Sequence, residues 1–140
     1  MSLDIMSLQK ALESYRKAIG IIRIKELDES VTEDEWALLR AGVIQNFEFT
    51  YELCWKYMKR WIEENISPNI VSGVPRIELF RVAAQNGLID APQTWMIYHK
   101  ARNQTSHIYD QNISEDVYLV TLDFLDSANN FYECLEKRNV

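Results

Sequence analysis

The run from residue 33 to residue 64 constrains this chain more than any other stretch. Trp36, Leu39, Val43, Phe47, Tyr51, Cys54, Met58 and Trp61 recur at steps of three and four, the spacing of one helix face. Phe49, Leu53 and Tyr57 fall largely outside that stripe. A helix that is apolar beyond one face has to be covered on two sides. This one therefore lies either at the centre of a bundle or against a second copy of the chain. Thr32, with Glu35 three residues on, predicts its start, because each side chain satisfies the other's free backbone amide.

The remaining periodic segments are helical too, and strand-like alternation is nowhere sustained. Leu8, Leu12, Tyr15, Ile19 and Ile22 mark a first helix over about 3–27, broken by "DESVTEDE". Pro75 suits the start of a third helix, and Gly87 followed by Leu88 reads as a glycine cap at its end. A fourth helix is expected from "IDAPQ", with Asp90 as its cap, through Trp95, Ile97, Tyr98 and Ala101. Ser114, followed by Glu115 and Asp116, is expected to cap a fifth helix running to the C-terminus through Phe124, Ala128, Phe131 and Leu135. No internal repeat and no second domain is visible, so residues 1–140 read as one domain. The expected fold is all-α, an antiparallel up-and-down bundle of four or five helices, and homodimeric.

Composition excludes several chemistries. Cys54 and Cys134 are too few and too far apart for a disulfide framework or a zinc site, and Cys54 falls on an apolar face as a buried thiol. No charged-then-apolar leader opens the chain, and no apolar run approaches the ~20 residues of a membrane span. A soluble, cytoplasmic protein without a membrane partner is expected. No glycine-rich loop cradles phosphate, and no glycine precedes a serine. Di-iron bundles need Glu-x-x-His, but the residues three before His99 and His107 are Met96 and Gln104. No metal and no cofactor is expected, so any catalysis is metal-independent or borrowed from a partner.

The net charge of −6 opposes indiscriminate nucleic-acid binding, yet it is unevenly spread. Residues 1–55 hold six Lys/Arg and ten Asp/Glu, residues 56–102 hold seven and four, and residues 103–140 hold two and seven. Because screening confines each charge to about 10 Å, the middle block could still receive a polyanion. Ordinary surface variation explains the same pattern.

That basic block ends on Arg102, which opens "RNQTSHIYDQN", residues 102–112. On an ideal helix five residues span ~500°, so Arg102 and His107 would not share a face. They converge only if the helix ends between them or a second subunit completes the site. The intervening Asn103, Thr105 and Ser106 compete for backbone hydrogen bonds and permit an ending. A guanidinium grips a phosphate through parallel hydrogen bonds, and an imidazole exchanges protons near neutral pH. Together they suffice for metal-free RNA cleavage. Equally, both residues could simply complement the dipole at a helix end. Glu48 and Glu52 either reach the Arg102 site or pair with Lys56 and Arg60 one and two turns on. His99, one turn before Arg102, is either an RNA contact or a surface residue. Lys56, Lys59 and Arg60 either track phosphates or form a solvated face.

At these residues a resemblance enters. "RNQTSHIY" resembles the Arg-x4-His-x-Tyr signature of the HEPN superfamily. More closely, "VIQNFEFTYELCWKYMKRWIEEN", "PRIELFRVAAQNGLI" and "KARNQTSHIYD" resemble, in that order, the nucleotidyltransferase substrate-binding protein family over roughly residues 5–135. The resemblance implies a dimerising helical bundle and a small cognate nucleotidyltransferase as partner. It implies a toxin whose catalytic residues are Arg102 and His107, with the partner as antitoxin. In some relatives the partner transfers AMP onto the motif tyrosine, here Tyr109. Asn103, Ser106, His99, Lys56 and Arg60 complete the residues expected to touch bound RNA or nucleotide. The family's older name implies instead a non-catalytic subunit that presents substrate to the nucleotidyltransferase. Tyr109 lies two residues past His107, so an extended segment would put both side chains on one side of the chain.

Overall fold

The computed structural model describes residues 3–138. Five α-helices follow in order: α1 (Met6–Lys25), α2 (Glu33–Asn65), α3 (Arg76–Gln85), α4 (Pro92–Gln104) and α5 (Gln111–Arg138). A three-residue 3-10 turn, Thr105–His107, joins α4 towards α5. Among the described residues none is in a strand.

Side-chain contacts fix the directions. Tyr57 on α2 donates to the Asp4 carbonyl, whereas Ser14 on α1 donates to Asn46, so α1 and α2 run antiparallel. Trp36 packs on Tyr118 and Phe47 on Phe124, so α2 and α5 run parallel. Tyr98 bonds Ser127 while Trp95 packs on Phe131, which sets α4 against α5. The four longer helices thus alternate in direction, and α2 and α5 meet across the bundle's diagonal. This is the up-and-down bundle that the periodicity predicted.

The two-sided apolar character of α2 has a structural cause, because α2 packs against α1, α3, α4 and α5. Its start carries the expected capping box, with Glu35 N–H donating to Thr32 Oγ1 at 3.1 Å. Cys54 is fully buried, and burial pushes its thiol well above the ordinary range. Two expected caps are not the ones used. Ala91 occupies the cap position of α4 with no side-chain bond, and Pro92 provides the first turn through its preset φ. Asp90 therefore caps nothing. The fifth helix begins a turn earlier than Ser114, because Asp110 Oδ1 accepts from the backbone N–H groups of Asn112 (2.9 Å) and Ile113 (3.2 Å). At the end of α3, Gly87 takes φ +73° and the Leu88 N–H returns to the Ala83 carbonyl at 2.9 Å, as expected of a glycine cap. Arg138, at the far end of α5, donates to the Asn86 carbonyl there (2.7 Å).

Phe124 is the centre of the core. It is fully buried, and its ring lies 4.8–5.9 Å from those of Tyr98, Phe47, Trp95 and Tyr15. Each such pair adds to the burial itself. Phe124→Ala should therefore cost about 3–5 kcal/mol, read as an earlier midpoint in urea unfolding. A loss below ~1 kcal/mol would mean that the surrounding rings close the cavity. Among the described residues no helix is long and apolar enough to cross a membrane.

Candidate functional site

The candidate site is built where α2 and α4 face each other. Glu48, Tyr51, Glu52 and Trp55 fall at steps of three and four along α2 and share one face. His99, Arg102 and Asn103 do the same on the last turns of α4. Arg76, the first residue of α3, closes the third side.

Arg102 is held from several directions. Its Nε lies 3.3 Å from Glu52 Oε1, and Nη1 lies 3.7 Å from Glu48 Oε2. Nε finds no hydrogen-bond acceptor among the described residues, so the Glu52 contact is an ion pair without an aligned bond. Glu48 and Glu52 therefore belong to Arg102 and not to Lys56 and Arg60 along their own helix. Thr105 supplies a further restraint. Its hydroxyl donates to the Arg102 carbonyl (2.7 Å) and accepts from Nη1 of the same residue (3.1 Å). Thr105 is buried and ties off the end of α4.

Behind this lies a second polar chain. Arg76 Nη1 donates to the Tyr51 hydroxyl (3.1 Å), which sits 2.9 Å from His99 Nδ1. His99 Nε2 lies 3.4 Å from the Asn103 side-chain amide. The Arg76 guanidinium stacks over Trp55, 3.7 Å from the ring centre, and the Trp55 indole N–H donates to Glu52 Oε2 (3.0 Å). Burial and the neighbouring Arg76 charge hold the His99 imidazolium down, against a smaller opposing effect of Glu52. Burial pushes the Tyr51 phenol up to about 12. His99 is thus half-buried in a network and is not a simple surface residue.

The turn after α4 carries the rest of the signature. Ser106, His107 and Tyr109 are all exposed, Tyr109 at 86%. The segment is not extended, since a 3-10 turn runs into a hydrogen bond from the Asp110 N–H to the His107 carbonyl (3.0 Å). The His107 and Tyr109 rings nevertheless lie side by side, 6.2 Å apart and edge to face. Tyr109 also borders a groove of about 690 Å³, shared with Trp36, Ala37, Arg40 and Glu115. Lys56 adjoins the cluster through Trp55, 5.8 Å from its ring. Arg60 lies over Tyr57, two turns beyond Glu52 and away from it.

Sequence reasoning did not single out Arg76, Tyr51, Trp55 or Thr105 as site residues. Tyr51 was legible only as part of an apolar stripe, because its ring is core and only its hydroxyl reaches the site. Nothing local in the sequence signals that Arg76 meets α2.

Comparison with known proteins agrees with the sequence motifs. Residues 3–137 match the family described as nucleotidyltransferase substrate binding protein like. The chain is 36% identical over 115 residues to a Haemophilus influenzae protein named probable ribonuclease HepT, covering 81% of this chain and 77% of that one. A solved Haemophilus influenzae structure, described as the fold of a substrate binding domain of a nucleotidyltransferase, superposes with TM-score 0.89 at 31% identity. It covers 95% of this chain and 99% of that one. A Thermus thermophilus structure shares the fold, with TM-score 0.71 at 19% identity over 91% of this chain and 98% of that one. This chain belongs to the nucleotidyltransferase substrate binding protein like family.

Proposed function

We propose that this chain is a HEPN-type endoribonuclease that needs no metal, the toxin half of a two-gene toxin–antitoxin pair. Its partner would be a minimal nucleotidyltransferase that silences it by joining AMP to Tyr109. The observation that carries the reading is the end of α4 at Gln104, inside the Arg-x4-His spacing. A continuous helix would point Arg102 and His107 away from each other. The α-helix ends before His107, and the 3-10 turn that follows leaves His107 and Tyr109 exposed side by side. Arg102 is restrained within α4 and makes no contact with His107 among the described residues. The name of the Haemophilus influenzae relative, probable ribonuclease, supports the same reading.

In the reaction, Arg102 pairs with non-bridging oxygens of the scissile phosphate. His107 takes the proton of the ribose 2′-hydroxyl as that oxygen attacks phosphorus, and an imidazolium gives one to the departing 5′-oxygen. Asn103 and Ser106, next to Arg102 and His107 in the chain, would contact the same strand, and Lys56 would add positive charge near it.

A second reading is a non-catalytic subunit that binds nucleotide or substrate for a separate nucleotidyltransferase. It draws on the description of the superposed Haemophilus influenzae fold and on the carboxylates that already neutralise Arg102. Purified protein with RNA and an excess of chelator separates the two. Cleavage is expected under the first reading, and intact RNA would favour the second.

Dimerisation belongs to the same proposal. Leu38 and Phe49, eleven residues apart and within ~20° on the helix, are 75% and 62% exposed on the outer face of α2. A homodimer covering this face should bury more than ~2,000 Å² of total surface. Sedimentation at micromolar concentration should return twice the chain mass, and a monomer there counts against the dimer.

A further inference from the structure

We propose that Arg76 is the positioning residue of this site, fixing the Arg102 guanidinium through Trp55 and Glu52 and the Asn103 side chain through Tyr51 and His99. The inference rests on the ribonuclease reading for its kinetic consequence, but its geometry stands apart from it.

Two chains of contact begin at this one guanidinium. Its flat face covers Trp55, which orients the indole so that its N–H meets Glu52 Oε2. With one carboxylate oxygen occupied in this way, the other is turned to Arg102 Nε. One edge of the same guanidinium donates to Tyr51. Arg76 can only donate, so the phenol oxygen accepts there. The same hydroxyl shares a hydrogen bond with His99 Nδ1. On the far side of the ring, Nε2 lies 3.4 Å from Asn103 Nδ2, so the orientation of His99 sets where that amide stands.

Only an arginine serves both chains. A lysine keeps the charge but lacks the flat face and the second edge, so it cannot stack on Trp55 and bond Tyr51 at once. The groups facing His99 are Tyr51 and Glu52 from α2, Arg76 from α3, and Asn103 and Arg102 from its own helix. Arg76 is the cation that depresses its protonation, and Glu52 opposes it. Arg76→Gln should therefore raise the His99 pKa.

The experiment combines single-turnover RNA cleavage, RNA binding and ¹⁵N NMR of the Arg102 Nε and His99 ring nitrogens. The full-length Arg76→Lys, Arg76→Gln, Trp55→Phe and Tyr51→Phe proteins are compared, each checked by its melting curve. Arg76→Lys should lose roughly 10- to 100-fold in cleavage with RNA affinity almost unchanged, as misplacement of a reacting group does. Trp55→Phe, which keeps an aromatic face and loses the N–H, should move the Arg102 signal and leave His99 alone. Tyr51→Phe should do the reverse. Wild-type cleavage by Arg76→Lys, or unmoved Arg102 and His99 signals in Arg76→Gln, would overturn the proposal. If the wild-type protein cleaves no RNA, the ribonuclease reading is lost instead, and the two NMR signals still decide whether Arg76 sets the site.

Discussion

Arg102→Ala and His107→Ala should each lower metal-free RNA cleavage by ~10²–10⁴, with helical content and melting behaviour close to those of the parent. The structure explains why the two losses separate. His107 is exposed on a short turn, so its removal forfeits at most a dipole contact of roughly 0.3–1 kcal/mol. Arg102 is more deeply engaged, and its removal leaves Glu48 and Glu52 without their cation. Both carboxylates are about one-third exposed, so solvent screening keeps the stability cost near or below ~1 kcal/mol. Unfolding of both variants would make these residues structural ends of α4 and remove the enzymatic reading. Intact folds with intact cleavage would move the chemistry elsewhere.

The second large effect concerns Tyr109. With the cognate nucleotidyltransferase, ATP and magnesium, the parent protein should gain one or more AMP units, found by mass spectrometry at Tyr109. The phenol oxygen attacks the α-phosphorus, pyrophosphate departs and the phenol proton is lost. Tyr109 is 86% exposed, so the partner meets it without any unfolding of the bundle. The added phosphodiester is an anion placed beside His107, whose ring is 6.2 Å away. It would compete for Arg102 and repel an incoming strand, by the electrostatic logic of regulatory phosphorylation. Tyr109→Phe should abolish the labelling completely and escape silencing. Labelling at a different residue, or full silencing of Tyr109→Phe by complex formation alone, would remove this mechanism.

How far the sequence reached depends on how local each cause is. The five helices were legible because burial of one face imposes a period of three to four on the sequence, and α2 even announced that it needed cover on two sides. Helix starts were less secure. Asp90 and Ser114 are good capping residues by type, but Pro92 and Asp110 were nearer to where the chain turns. The end of α4 was legible in Asn103, Thr105 and Ser106. Glu48 and Glu52 were ambiguous because the pairing rule along one helix cannot see a cation some fifty positions away. Arg76 was invisible for the same reason. His99 read equally as an RNA contact or a surface residue, and only the arrival of Tyr51 from α2 makes it part of a network.

The carboxylates around Arg102 also bear on what the protein discriminates against. Glu48 and Glu52 offset the charge of Arg102, so inorganic phosphate or sulfate would meet a guanidinium already paired. A strand anchored at neighbouring positions differs, because it delivers its phosphate at high effective concentration and can displace the looser of the two contacts, Glu48 at 3.7 Å. The displaced carboxylate then takes up a cation from solution and offsets part of the counterion release that accompanies phosphate binding. Affinity for RNA would accordingly depend on salt less steeply than a count of basic contacts suggests. On the ribonuclease reading the acidic pair would work as a filter, excluding isolated anions while admitting the same group when a polymer presents it.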